Sequence, residues 1–225
     1  MLNFFIVIPV YNEAPRVAEL LSRLKDFKFV DNVIFVDDGS TDGTSKIIED
    51  FGVFLLRNPK NMGKGYSQRL GFQEALRRGA EYIVTMDGDL QHDPQWVPIL
   101  LRKLLDGYDM VIGSRWAELS KMPKDRYLSN RLTTLAVSLL TRKRLEDSQS
   151  GFRAYKRWVL EEVSFTSEKF EAESELLIKA VIKGAKVGFV SIPAVYHERL
   201  QSKIKRGTDT LRFLKMYFSL ALKRS

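Results

Sequence analysis

Apolar residues in the first half of the chain fall into short continuous runs separated by polar, turn-forming segments. "FFIVIPV" (4–10), "NVIFVDD" (32–38), "GVFLLRN" (52–58), "EYIVTMD" (81–87) and "DMVIGSR" (109–115) are brief and rich in β-branched residues. That is the pattern of strands buried on both faces of a parallel sheet. Between them, 15–27, 43–51, 64–78 and 94–105 carry helical spacing, as in Val17, Leu20, Leu21 and Leu24. Strands alternating with helices predict βαβ units, hence an α/β fold with a mostly parallel central sheet flanked by helices. Ligands of such sheets gather beyond the carboxyl ends of the strands. Here those ends read "VYNE", "VDDGSTDGT", "RNPKNMGKG", "MDGDLQHD" and "GSR".

The second half is less regular. Residues 127–147 read as a helix with an apolar body and basic ends, "SGFRAYK" as a strand, and "FEAESELLIKAVIKG" as a helix stopped by Gly184 in the manner of a C-terminal glycine cap. "AKVGFVSIPAVYHE" returns to strand, and "DTLRFLKMYFSLALKRS" closes as a helix. With no repeat and no clear linker, one domain with a C-terminal elaboration is the simplest organisation.

At 225 residues and 44% hydrophobic content the chain can bury a full core. It has no cysteine, which excludes disulfides and thiolate metal sites and allows a reducing compartment. The opening apolar run is broken by Pro, Asn and Glu and lacks a basic leader, so it predicts a strand and not a signal peptide. No uncharged stretch approaches the ~20 residues that cross a bilayer, so no spanning segment is expected.

The net charge of +8 is unevenly placed: residues 1–112 hold 13 Lys/Arg and 16 Asp/Glu, whereas 113–225 hold 23 and 12. The basic half could face nucleic acid, anionic lipid or a phosphorylated substrate, and charge alone does not choose among these.

"MDGDLQHDP" places Asp87 and Asp89 two apart after an apolar run, so in extended chain their carboxylates share a side. Two such anions either share a proton or hold a cation. Oxygen donors favour Mg²⁺ or Mn²⁺, with phosphate oxygens and water completing the shell; Gln91 and His92 are further candidates. Asp93, before Pro94, is better read as a helix cap. "VDDGSTDGT" supplies a second pair, Asp37 and Asp38, suited to accept hydrogen bonds from a base or ribose, while Ser40, Thr41 and Asp42 suit the turn. No GxxxxGK[ST] occurs and "NMGKGYSQRLG" lacks GxGxxG spacing, which disfavours P-loop and nicotinamide chemistry.

The segments "VIPVYNE", "VDDGSTDGT", "NMGKGYSQRLG", "MDGDLQHDP", "GSR" and "SQSGFRAYKR" stand in the order and approximate spacing of family 2 inverting glycosyltransferases. The chain resembles most the polyprenyl-phosphate sugar transferases of the dolichyl-phosphate mannose synthase type, over roughly residues 4–205. The resemblance implies a GT-A fold over 1–206, with a nucleotide-sugar half (1–115), an acceptor half (116–206) and a basic amphipathic helix (207–225). It implies that Pro9, Tyr11, Glu13 and Asp38 hold the nucleoside, with Asp37, Lys64 and Gly88 also in the donor site, and that Asp87, Asp89 and Gln91 hold Mg²⁺ or Mn²⁺ and the diphosphate. Catalytic positions fall on Asp89, Arg115 and Arg131, the two arginines lying near the donor sugar or acceptor phosphate. A late basic motif of the R-x-x-G-x-S-K kind corresponds to "RLQSK", placing Arg199, Ser202, Lys203 and Lys205 in the acceptor site, although its glycine is absent here.

A sugar hydroxyl as acceptor would need a general base, for which Asp147, Glu173 and Glu175 are candidates. A phosphate monoester is already ionised at neutral pH and needs cationic clamps instead; Arg115, Arg126, Arg131, Arg199, Lys203, Lys205 and Arg206 are available. From 199 to 225 eight Lys/Arg face one acid, Asp209, among many large apolar residues. The reading favoured is a helix in a membrane interface beside anionic lipid, with "LTTLAVSLL" either a second contact or core. The expected reaction is transfer of a hexose from GDP-mannose, or from a UDP-sugar, to a polyprenyl phosphate, by a peripheral protein on the cytoplasmic face of the membrane. The rivals are a same-fold transferase acting on a glycolipid or polysaccharide hydroxyl, a sugar-nucleotide synthetase, and a basic nucleic-acid-binding protein. The last is disfavoured because no recognised nucleic-acid motif is present, and no nucleic-acid partner is expected.

Overall fold

The computed structural model describes residues 2–116, 124–193 and 206–222, and for 124–126 and 206 the backbone alone. The five expected strands of the first half form as β1 (Phe4–Val10), β2 (Val33–Asp37), β3 (Leu55–Arg57), β4 (Tyr82–Thr85) and β5 (Met110–Ser114). The helices between them are α1 (Ala14–Asp26), α2 (Thr44–Phe51), α3 (Lys64–Arg77) and α4 (Val97–Leu105). The second half adds α5 (Lys124–Thr141), β6 (Arg153–Lys156), α6 (Arg157–Glu162), α7 (Glu171–Ile182), β7 (Val187–Ser191) and α8 (Arg206–Leu222).

All seven strands share one sheet in the order β3-β2-β1-β4-β6-β5-β7. Pairings are parallel except around β6, which runs antiparallel between β4 and β5. The chain leaves β1 toward β2 and β3, then crosses back to β4 on its other side, so the β1/β4 carboxyl ends form the switch point where α/β sheets bind ligands.

Side chains of β1 alternate between two cores. Ile6, Ile8 and Val10 pack with α1 and α4, whereas Val7 packs with α3, the period of two that a strand imposes. Pro9 is tolerated in this central strand because the last β1–β4 pair is Val7↔Thr85; beyond it no ladder donor is required on that side. The two strands part there, and the β4 loop approaches β1 so closely that a Cβ on Gly88 would lie 2.6 Å from Val10 Cγ1. α3 closes on the sheet through Gly71, where an added methyl would overlap Val7. α7 is buried almost around its circumference, from Ala172 to Ile178 without a break, because α3, α5 and α8 all lie against it.

Several boundaries differ from the sequence pattern. The helix expected over 127–147 ends at Thr141, where Arg142 takes a left-handed φ of 54° and Lys143 N–H returns to Ser138 O. The expected 94–105 helix begins as one 3₁₀ turn (Pro94–Trp96), with the Asp93 side chain accepting from Gln95 N–H, before α4. β3 keeps only three residues, β7 takes Val187–Ser191 of the expected 185–198, of which 194–198 lie outside the described residues, and α6 was not anticipated. Gly184 caps α7 as expected, with a φ of 101° and its N–H on Val181 O.

Candidate functional site

At the switch point the loops after β1 and β2 are tied into one unit. Asp38 N–H donates to Val10 O, Asn12 N–H to Ser40 Oγ, Thr41 N–H to Asn12 Oδ1 and Ala14 N–H to Asp42 Oδ2. Glu13 N–H meets Thr44 Oγ1, and the Glu13 carboxylate pairs with Arg16 at 2.6 Å. Asn12 holds a left-handed φ of 51° that turns the chain here.

The acidic pair after β2 is turned inward. Asp37 is fully buried and accepts from Ser40 N–H, Ser40 Oγ and Ser45 Oγ, with Arg57 Nε at 3.5 Å. Asp38 accepts from Asn58 Nδ2, Met62 N–H and Gly63 N–H, each at 2.8 Å. Three chain donors thus meet each carboxylate that the sequence offers to a base or ribose. These carboxylates fix the turn and the entry to α3, and beside them opens a cleft of about 430 Å³ lined by Ser40, Thr41, Arg57 and Asn58. Pro9 and Tyr11 stand half-buried at the end of β1.

Past β4, Lys64 at the start of α3 reaches Asp87 Oδ1 at 2.6 Å and Glu173 Oε1 of α7 at 2.9 Å. Gln68 Nε2 also donates to Glu173, at 3.0 Å. Gly151 makes room for this cluster, since a Cβ there would lie 2.9 Å from Asp87 Oδ2 and from Lys64 Nζ. Burial alone would lower the Lys64 pKa, but Asp87 and Glu173 outweigh it and raise it. Against its own burial, Asp87 is held down to about 2, chiefly by Lys64.

Asp89 behaves oppositely. Burial, with the Asp87 charge beside it, pushes its pKa up to about 6. Gln91 N–H donates to Asp89 Oδ1 at 3.0 Å. Two hard oxygen donors, one of which ionises reluctantly beside the other, suit a divalent cation, which would remove that penalty. Among the described residues no three His, Asp or Glu converge as a complete metal cage, so a cation held by Asp87 and Asp89 would take the rest of its shell from phosphate and water. His92 is excluded as a ligand through Nδ1, which accepts Asp87 N–H at 2.9 Å. Its ring is buried, stacks on Phe152, and has its pKa lowered to about 4 by that burial.

Arg115, after β5, lies along the buried Asp147, with Nε to Oδ2 at 3.0 Å and a second contact from Nη2 to Oδ1 at 3.3 Å. Burial acts to raise Asp147, but Arg115 dominates and its pKa is lowered. Gln149 and Ser150 N–H also donate to Asp147. Arg131 is exposed on α5, its guanidinium 5.7 Å from the Trp116 ring. Arg199, Ser202, Lys203 and Lys205 lie outside the described residues, as do the side chains of Arg126 and Arg206.

None of the three candidate bases stands ready for a substrate proton. Asp147 is paired with Arg115 and Glu173 with Lys64, and Glu175 accepts from Thr166 and Ser167 N–H and from Lys179. The sequence reading also missed Arg153. Fully buried in β6, it donates to Ser150 O, Glu173 O and Ser148 O at 2.6–2.8 Å, bracing the Arg115-bearing side against α7. Its one signal was an arginine inside a strand-like run.

The description "Glycosyl transferase family 2" matches residues 5–164. An undecaprenyl-phosphate mannosyltransferase of Micrococcus luteus is 30% identical, over 89% of this chain and 87% of its own. A UDP-N-acetylglucosamine–dolichyl-phosphate N-acetylglucosaminyltransferase of Methanococcus voltae is 29% identical, over 97% and 94%. The fold is shared with glucosyl-3-phosphoglycerate synthase of Mycobacterium tuberculosis, solved with Mn²⁺, UDP-glucose and phosphoglyceric acid. The TM-score is 0.79 at 21% identity, covering 97% of this chain and 79% of that one. With its GT-A fold and a match spanning most of its length, the chain belongs to glycosyltransferase family 2 and is a glycosyltransferase.

Proposed function

We propose that the protein transfers a hexose from a nucleoside-diphosphate sugar to a polyprenyl phosphate, with inversion and with Mg²⁺ or Mn²⁺. The observation that carries the acceptor class is the engagement of Asp147, Glu173 and Glu175 in ion pairs and N–H contacts. A hydroxyl acceptor needs a base, and a phosphate, ionised at neutral pH, does not. The undecaprenyl- and dolichyl-phosphate relatives support the same class.

In this reading the nucleoside lies over the β1 and β2 loops, against Pro9, Tyr11, Glu13 and the cleft beside Asp38. Gly88 lets the β4 loop close under the diphosphate, and Lys64 offers its ammonium to it, braced by Glu173. A divalent cation bound by Asp87 and Asp89, with Gln91 beside them, would neutralise the departing diphosphate. An acceptor phosphate oxygen attacks the anomeric carbon from the face opposite the leaving oxygen, the carbon–oxygen bond to the diphosphate breaks, and the configuration inverts. Arg115, fixed by Asp147, holds the acceptor phosphate or the developing charge where it appears, and Arg131, Arg199, Ser202, Lys203 and Lys205 complete the anionic lining.

GDP-mannose is the first reading for the donor, supported by the mannosyltransferase relative. A UDP-sugar is the second, supported by the UDP-sugar enzymes it resembles. The test is a panel of GDP- and UDP-sugars incubated with a short polyprenyl phosphate and Mg²⁺ or Mn²⁺, reading GDP or UDP release. Release that depends on both the acceptor phosphate and the cation is the expected result. Equal release with a dephosphorylated prenol would overturn the acceptor class.

A further inference from the structure

Two helices of the second half are apolar on both faces. On α5, Val137 is buried and Leu140 packs on the core, yet Leu128, Leu132, Leu135 and Leu139 all point outward. Their spacing of four, three and four residues places them in one narrow stripe. α8 repeats the arrangement: Phe213, Met216 and Leu220 face the core, while Leu211, Leu214, Phe218 and Leu222 form a second outward stripe of three-, four- and four-residue steps. Among the described residues, every large apolar side chain more than 52% exposed belongs to one of these two stripes. Scattered exposed leucines are ordinary, but aligned ones on two helices that share one packing partner mark a surface that is covered in use.

Both helices lie against α7, and both turn their inner faces to the core that α7 shares with the sheet, so each stripe looks away from that core. The described charges around them are mostly basic, with Glu146 the exposed acid past α5. Lys215 sits within the α8 stripe and Arg131 beside that of α5. Arg142, Lys143 and Arg144 are exposed just past the end of α5. The one acid of α8, Asp209, is held by Arg212 at 2.9 Å. Apolar ridges about 17 Å long in a mostly basic surround match a bilayer surface with anionic headgroups, where leucines enter the acyl boundary and cations stay at the phosphates. No described helix is long and apolar enough to cross a membrane.

We propose that α5 and α8 together form a docking face that seats the protein on an anionic bilayer. The face is mechanically joined to the site. Ser148 N–H and Oγ meet Thr134 Oγ1 of α5, and Leu145 N–H meets Ser138 Oγ, so α5 holds both ends of the segment that presents Asp147 to Arg115. Seating α5 would thereby be felt at Arg115, the residue proposed to meet the acceptor phosphate. That purpose rests on the lipid-acceptor reading above, whereas the existence of the face does not.

Flotation of the intact protein with phosphatidylglycerol/phosphatidylcholine vesicles, compared with pure phosphatidylcholine, tests the proposal. Binding is expected to require the anionic lipid and to fall at 1 M salt. The variants Leu132→Ser/Leu139→Ser and Leu211→Ser/Phe218→Ser are each expected to lose at least tenfold in vesicle affinity, with unchanged melting temperature because these positions are exposed. Wild-type binding by either variant overturns the two-helix face. So does a wild type that ignores vesicles but forms a concentration-dependent dimer abolished by the same variants. Turnover of a water-soluble short-chain acceptor phosphate is expected to stay unchanged in both variants. If the wild type floats but never turns over that acceptor, the face stands and the lipid-phosphate function falls.

Discussion

Single side chains at the switch point divide into those that hold the chain and those that remain available. Asp89 is of the second kind: among the described residues its carboxylate accepts one hydrogen bond, from Gln91 N–H on Oδ1. Asp89→Asn is therefore expected to cut turnover by about 10²–10³-fold, the scale of losing a group that stabilises transition-state charge, with no change in melting temperature. Full activity would remove the cation role. Asp147 is of the first kind. Asp147→Asn removes the buried carboxylate that fixes Arg115, and breaking such a pair costs about 3 kcal/mol; both thermal stability and turnover should fall. A variant that lost turnover alone would make Asp147 a reacting group and not a support. Asp87 and Asp89 were legible in the sequence because two acids at strand-end spacing have few structural uses. The links Lys64–Asp87, Lys64–Glu173 and Arg115–Asp147 were not, because each joins groups brought together only by the sheet order.

Among elements, α3 shows how local chemistry sets the approach of a helix to the sheet. Gly71 sits where a methyl would overlap Val7, so Gly71→Ala should cost about 1–3 kcal/mol by overpacking, read as a fall in denaturant midpoint with unchanged slope. At the other end of α3, Glu74 meets Arg77 and Arg78 at 2.7 Å. The Arg77 hydrogen bond leads, offsetting the smaller effect of burial, and the pKa is held to about 2. A folded value below the unfolded one of about 4.3 contributes stability that is full above pH ~4.3 and lost as pH falls toward 2. Glu74→Gln should melt lower than the parent at pH 7, and the gap should close by pH 2; a constant gap would mean packing and not charge. The strands of the first half were legible from their apolar runs. β6 was legible as a strand but not in its direction or place, since a short alternating segment carries no record of which neighbours it enters.

For the molecule as a whole, α7 is the element that both halves share. α3 from the first half and α5 and α8 from the second pack against it, so α8 is part of the core as well as of the proposed docking face. Removing residues 206–222 would uncover the surface now facing Phe213, Met216 and Leu220. The truncated protein should melt about 5–10 °C lower, as expected for a few kcal/mol lost from a domain of this size, and should lose vesicle binding, while donor binding at low temperature persists. An unchanged melting temperature would make α8 an appendage. Composition left core and interface open as readings of α5 and α8; their inner faces are core, and the outward stripes carry the proposed interface.

Arg153 has a consequence of its own for how the site is built. One buried guanidinium gathers the carbonyls of Ser148, Ser150 and Glu173 onto β6, so the loop bearing Asp147 and the helix bearing Glu173 hang from a single side chain. Losing it would slacken the anchors of Arg115 and of Lys64 together, and two distant cations would drift for one cause.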